Sequence, residues 1–209
     1  PGHGGEGDNN HGVEREYNGV MVMEKSLTLT LAQKIGWCLQ QQPGVTVVLT
    51  RTGDYAMGIS DRVNCAVANN ADILVSIHIN SSSTGNPDDN GCLAIVTQSH
   101  YQPSGVKSAD VYGSSQVLAA NILANLNGIG IPLTADFNAN ATGGLLRRTS
   151  ESGAVYADGS AADYYGIISH TTKAGIPACI VEHAFLSNEN DYWNYLSDDS
   201  KLDTLAKAD

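Results

Sequence analysis

Four side chains in this 209-residue sequence have types and positions suited to metal-assisted hydrolysis. His3 sits in a glycine-rich opening, PGHGG, and His78 closes an apolar run, DILVSIHIN. Glu182 ends another apolar run, IPACIVE, and Glu24 heads an amphipathic stretch. Two imidazoles and one carboxylate suit a hydrolytic metal centre, because three protein ligands leave a fourth position for water. The ion then acidifies that water and polarises the scissile carbonyl. A further carboxylate, off the ion, can carry protons between the water and the leaving amine. His3, His78 and one Glu fit the first set, and Glu182 fits the second role. Each residue alone has a plainer reading. A strand-end His is more often a satisfied polar group, and a first-turn Glu suits the helix macrodipole. Glu182 resists that reading, since a carboxylate ending a buried run is costly unless paired or functional. A shorter pattern, His3-Gly-Gly-Glu6 with His78 as third ligand, describes a metallocarboxypeptidase instead.

The elements that must position these residues follow from periodicity. Leu27, Leu31, Ile35 and Cys38 mark one face of a helix from Glu24 to about Gln41, ended by Pro43-Gly44. Residues 45–50, VTVVLT, read as a short buried strand, and residues 72–80 and 92–97 as two more. Helices are predicted over 59–69, 115–126 and 161–173. Residues 176–185 begin as a buried strand, and Ser187-Asn188 caps a helix over 191–196. The first 20 residues, rich in Gly, Asn and His, read as loop, and 128–159 shows no usable period. Strand and helix in alternation predict one α/β domain over 1–209, a mostly parallel twisted sheet with helices on both faces. In such sheets, sites gather beyond the carboxyl ends of the strands. His78 and Glu182 both stand at such ends and so can share a crevice.

Composition narrows the partners. Lys plus Arg is 11 and Asp plus Glu is 22, a net charge of −11, which repels nucleic acid and anionic membranes. No apolar run approaches the roughly 20 residues that span a bilayer. Cys38, Cys65, Cys92 and Cys179 form no CxxC pair, which argues against a thiolate metal cluster, and most are read as buried thiols rather than disulfides. The chain opens on Pro1 rather than Met, so an upstream segment is expected.

Five blocks in order resemble the zinc-dependent N-acetylmuramoyl-L-alanine amidases of bacterial cell walls. They are PGHGG at 1–5, EKSLTLTLAQKI at 24–35, TRTGDY with DRVNCA across 50–66, SIHIN at 76–80 and VEHAFLSN at 181–188. Residues 98–174 carry little of the likeness. The resemblance implies Zn2+ on His3, Glu24 and His78, with Glu182 as the catalytic carboxylate. It implies that the substrate is the amide between N-acetylmuramic acid and L-alanine in peptidoglycan. It further implies a secreted or wall-associated monomer, and a first strand just before Pro1. Asn80, Arg147 and Arg148 are candidate substrate contacts, the arginines for a stem-peptide carboxylate. A non-catalytic wall-binding module is the rival from outside enzymology. Three departures stand out, the first a segment over 145–159 that is longer than the family leads one to expect. Glu6, Asp8, Glu14 and Glu16 are rival acidic ligands between His3 and Glu24. His183 follows Glu182 where the family carries a small or apolar residue; strand alternation turns it away from Glu182, into a structural role. Arg51 with Asp54, and Arg62, are assigned to the scaffold, and His11, His100 and His170 to the surface.

Overall fold

The computed structural model describes residues 1–5, 11–84, 86–134 and 141–209. A hairpin comes first, β1 (Glu14–Tyr17) and β2 (Val20–Met23), followed at once by α1 (Glu24–Gln40) and then α2 (Ile59–Ala68). β3 (Leu74–Asn80), β4 (Leu93–Val96) and α3 (Val111–Gly128) come next, then β5 (Ala141–Thr142) and β6 (Leu145–Leu146). α4 (Gly166–Ala174), β7 (Ala178–Phe185), α5 (Glu189–Asp191), a π-helical turn over Tyr192–Leu196 and α6 (Asp199–Ala208) complete the chain.

The main sheet runs β3-β7-β4-β6-β5. β3 lies parallel to β7 and β4 to β6, while β4 runs against β7 and β5 against β6. The expected α/β architecture is there, and its sheet is mixed. Strand alternation divides the side chains between two cores. Ile77, Ile79, Ala94, Val96, Cys179 and Val181 meet Leu31, Leu123 and Leu205 from α1, α3 and α6. Leu93, Ile95, Ala178 and Ile180 meet Val63, Ile167 and Ile168 from α2 and α4. Helices therefore cover both faces, and each large aliphatic side chain taken from water stabilises by about 1.5–3 kcal/mol. All four cysteines are free thiols, with Cys92 and Cys179 buried and Cys38 and Cys65 partly so.

Three local expectations need correcting. Residues 14–23 form a hairpin rather than loop. Asn18 and Gly19 take φ of 52° and 79°, the left-handed pair of a two-residue turn, with Tyr17 facing Val20 across it. Residues 45–50 form no strand. Their β-branched run packs Val47 and Leu49 toward Gly36 of α1, but a ladder needs a neighbour, and they pair with no strand among the described residues. The helix expected from 161 starts at Gly166, because the preceding residues are committed elsewhere: Ala162 N–H donates to Ala154 O, and Tyr164 N–H to Arg148 O. α6 was not anticipated; the Asp198 carboxylate caps it by accepting from Lys201 N–H. Among the described residues, no helix is long and apolar enough to cross a membrane.

Candidate metal centre and catalytic cleft

β3 and β7 are parallel neighbours, and His78 stands in register with Glu182. By alternation both leave the same face of the sheet. Glu24 reaches this point as the first residue of α1. The first two N–H groups of α1 donate to Val13 O at 2.8 Å and His11 O at 3.1 Å, so the returning hairpin lays residues 11–13 across the helix start. His3 comes from the opening loop, which is anchored where Gly2 N–H donates to Ile77 O of β3.

The opening loop is held from behind by cations. Arg51, fully buried, donates to Gly2 O and Lys25 O at 2.8 and 2.7 Å. Arg62 donates to the carbonyls of Pro1 and His3. Lys25 donates to Gly5 O and pairs with Asp54 at 2.7 Å, and Asp54 accepts from Gly5 N–H. The scaffold role assigned to Arg51 and Arg62 stands, while the partner of Asp54 is Lys25 rather than Arg51.

Within that frame Glu24 is 3% exposed and splits its carboxylate between two imidazoles. Oε2 lies 3.2 Å from His3 Nε2, and Oε1 3.0 Å from His78 Nδ1. Each oxygen also accepts a backbone N–H, Oε2 from Val13 and Oε1 from Ile79. Burial alone would raise the Glu24 pKa, but hydrogen bonds and charge from the two imidazoles hold it at about 2. Burial lowers the His78 pKa below the ordinary imidazole value, against the pull of Glu24, which favours the neutral ring with a lone pair to give. One ligand atom each from His3, Glu24 and His78 falls within 4.8 Å of the others, close enough to hold one metal ion.

These residues line a cleft of about 390 Å³ together with Gly12, Asn80, Ser81 and Glu182. Among the described residues, Glu182 Oε2 is buried without a hydrogen-bond partner. Burial, and then the nearby Glu24 charge, push the Glu182 pKa well above the carboxylate range. A buried carboxyl with an unspent oxygen beside a cation site has the character of a proton carrier.

The other expected residues fall as follows. Asn80 lines the cleft, its Oδ1 accepting from Ser81 N–H. Arg147 and Arg148 do not line it: Arg147 is bonded to Gln116, and Arg148 lies 3.6 Å over the Tyr164 ring and pairs with Glu151. Burial raises the Tyr165 pKa, with Arg148 opposing the rise and the Glu182 charge adding to it. Glu14 and Glu16 lie on β1 with exposed side chains, and Glu6 and Asp8 fall outside the described residues. His11 is not a simple surface residue, since its Nδ1 is buried. His183 turns away from Glu182 into the opposite core, fully buried, against Asp209 and the His78 carbonyl. Burial is the largest single influence and opposes its charge, yet the Asp209 carboxylate and the His78 and Val181 carbonyls together raise its pKa.

Sequence reasoning missed Gly12. Its φ is +74°, and a Cβ there would overlap Glu24 Oε2 and stand 2.8 Å from His3 Cδ2. Its signal was a glycine just before the Val13 that feeds Glu24. Gly12→Ala is expected to lower metal affinity by at least about tenfold, since displaced support around a ligand costs 10- to 100-fold. Competition with a chromogenic chelator reads this directly, and wild-type affinity would remove Gly12 from the account.

Comparison with known proteins follows the same lines. The family model described as N-acetylmuramoyl-L-alanine amidase matches residues 1–209. The chain belongs to this family. The sporulation-specific N-acetylmuramoyl-L-alanine amidase of Bacillus subtilis is 39% identical over 82 residues, 39% of this amidase-family chain and 29% of that protein. The probable N-acetylmuramoyl-L-alanine amidase AmiB of Haemophilus influenzae is 34% identical over 96 residues, 46% of this chain and 21% of that protein. This chain thus spans well under two thirds of either relative. The crystal structure of an N-acetylmuramoyl-L-alanine amidase from Clostridium difficile 630 superposes with a TM-score of 0.70 at 24% identity, covering 100% of this chain and 88% of that one. That last likeness speaks for the fold alone.

Proposed function

We propose that this amidase-family chain hydrolyses the amide between N-acetylmuramic acid and L-alanine in peptidoglycan, outside the cytoplasm, with Zn2+ held by His3, Glu24 and His78. One observation carries the reading. Residues at positions 3, 24 and 78 converge within 4.8 Å, and Glu182 lines the same cleft. The donor set fits zinc: two imidazoles and an ionised carboxylate, with a position left for substrate or water. When bound, zinc supplies Lewis acidity, which acidifies water and polarises a carbonyl. The protein does the rest. Glu24 balances the ion's charge, and backbone N–H groups of Val13 and Ile79 fix its two oxygens. Arg51 and Arg62 hold the loop that presents His3. With a cation in the site to offset the Glu24 charge, Glu182 is favoured in its ionised form; it then takes the proton from the attacking water at its free oxygen and returns it to the alanine nitrogen. Asn80, which lines the cleft, is assigned to substrate contact. Neither arginine lines the cleft, and both are engaged, Arg147 by Gln116 and Arg148 by Glu151 and Tyr164, so a stem-peptide carboxylate would reach either only in competition with those partners.

The test is product analysis by mass spectrometry after digestion of purified peptidoglycan. The expected products are intact stem peptides beginning at L-alanine and glycan strands with free lactyl carboxylates. Release of C-terminal amino acids would make the chain a metallocarboxypeptidase. Wall binding with no products would make it a non-catalytic module.

A further inference from the structure

β7 loses regular pairing one residue beyond Glu182. His78 pairs with Glu182, but Asn80 pairs with Phe185, so β7 carries one extra residue between those two points. Such a bulge bends a strand and re-aims its side chains. His183 lies inside it, with no exposed surface. Its Nδ1 is 3.1 Å from the His78 carbonyl oxygen, and its Nε2 is 2.9 Å from Asp209 Oδ2. Asp209 follows the last turn of α6, and its side chain is only 3% exposed. α6 in turn packs on α1, where Lys34 pairs with Asp199 and Asp203. One buried imidazole therefore ties the backbone of His78 to the helix layer that also carries Glu24.

We infer that His183 is a positioning residue for the metal centre: it fixes the β7 bulge and the His78 carbonyl, and thereby the spacing of the His78 ring from Glu24 and Glu182. This rests on the reading of His3, Glu24 and His78 as metal ligands. An apolar side chain could fill the same space, but it would strip the His78 carbonyl of its side-chain partner and leave the Asp209 carboxylate buried without its bond to His183. Asparagine places an amide N–H near the position of Nδ1 and so keeps the bond to His78 while losing the one to Asp209. A purely structural residue would show no such difference between the two substitutions at the metal.

Co2+ binding to the metal-free protein, followed by its visible absorption, tests this without any activity measurement. His183→Leu is expected to weaken Co2+ binding roughly 10- to 100-fold, the usual effect of removing a group that orients a ligand, and to shift the absorption bands. His183→Asn is expected to recover most of the affinity. Wild-type affinity in the Leu variant, or equal loss in both variants, overturns the role. Should the Leu variant fail to fold, His183→Gln replaces it: its amide N–H lies near the position of Nε2, so it keeps the bond to Asp209 and loses the one to His78. His183→Gln should then weaken Co2+ binding where His183→Asn does not, and equal binding by both overturns the role. Wild-type protein that binds no Co2+ would overturn the metal reading itself and this inference with it.

Discussion

Glu182→Gln is expected to keep its metal, to lose about 10²- to 10⁴-fold in turnover on purified peptidoglycan, and, without metal, to melt at a higher temperature than the wild type at pH 7. The first two parts follow from position. Glu182 lines the cleft but is not one of the three converging ligands. Glutamine keeps its shape and cannot exchange a proton. The third part follows from burial. The Glu182 pKa in the fold lies well above its ordinary value, first through burial and then through the Glu24 charge. A carboxyl shifted upward binds its proton more tightly folded than unfolded. From about pH 4.5 upward, the folded protein therefore loses stability until the folded pKa is passed. Glutamine removes that loss. In a chain of this size each kcal/mol recovered raises the melting temperature by roughly 2–4 °C. The gap between the two proteins should shrink toward pH 4, where both carry a neutral side chain. Normal turnover in the variant would end the assignment of Glu182, and a melting temperature below that of the wild type would contradict the burial argument.

Glu24→Gln is expected to abolish metal binding at micromolar metal, an affinity loss beyond the 10- to 100-fold seen when only supporting groups are removed. Both Glu24 oxygens accept backbone N–H groups and both face imidazoles. An amide must aim its NH2 at one of those N–H groups, setting donor against donor in a buried place. The same carboxylate makes the fold acid-sensitive. Its pKa of about 2 lies below the ordinary value, so its stabilising contribution is whole above about pH 4.5 and is lost as pH falls toward 2. Wild-type melting temperature should drop through that window, and the Gln variant should show a shallower drop. Metal retained at one equivalent in Glu24→Gln, by atomic absorption after dialysis, would move the acidic ligand elsewhere.

Much of the site was visible along the chain. α1 begins at Glu24, because the apolar spacing from Leu27 to Cys38 has only one helical phase. β3 and β7 were readable as unbroken apolar runs, and their last polar residues, His78 and Glu182, had to stand at strand ends. What stayed hidden depends on groups that sequence does not display. The oxygens of Glu24 are set by the N–H groups of Val13 and Ile79, and backbone N–H is the same at every residue but proline. The cover over Glu24 needs the β1–β2 turn, and Asn18-Gly19 signalled it, but the Gly and Asn density of the whole segment masked it. Residues 45–50 have strand composition without a pairing partner, and pairing is a long-range fact. The departure at His183 was noticed and its direction followed from alternation. Its partner, at position 209, could come only from the packed structure.

The three converging side chains lie 21 and 54 residues apart in sequence, on a loop, a helix start and a strand end. An unfolded chain holds them at no fixed separation, so an ion gripped by all three belongs to the folded state alone. Every unfolding event must then expel it. At a free concentration a hundred times the dissociation constant, that requirement adds about 2.7 kcal/mol to the resistance against unfolding. Under the proposed metal reading, scarcity of the ion would thus shorten the lifetime of the folded protein as well as empty its cleft.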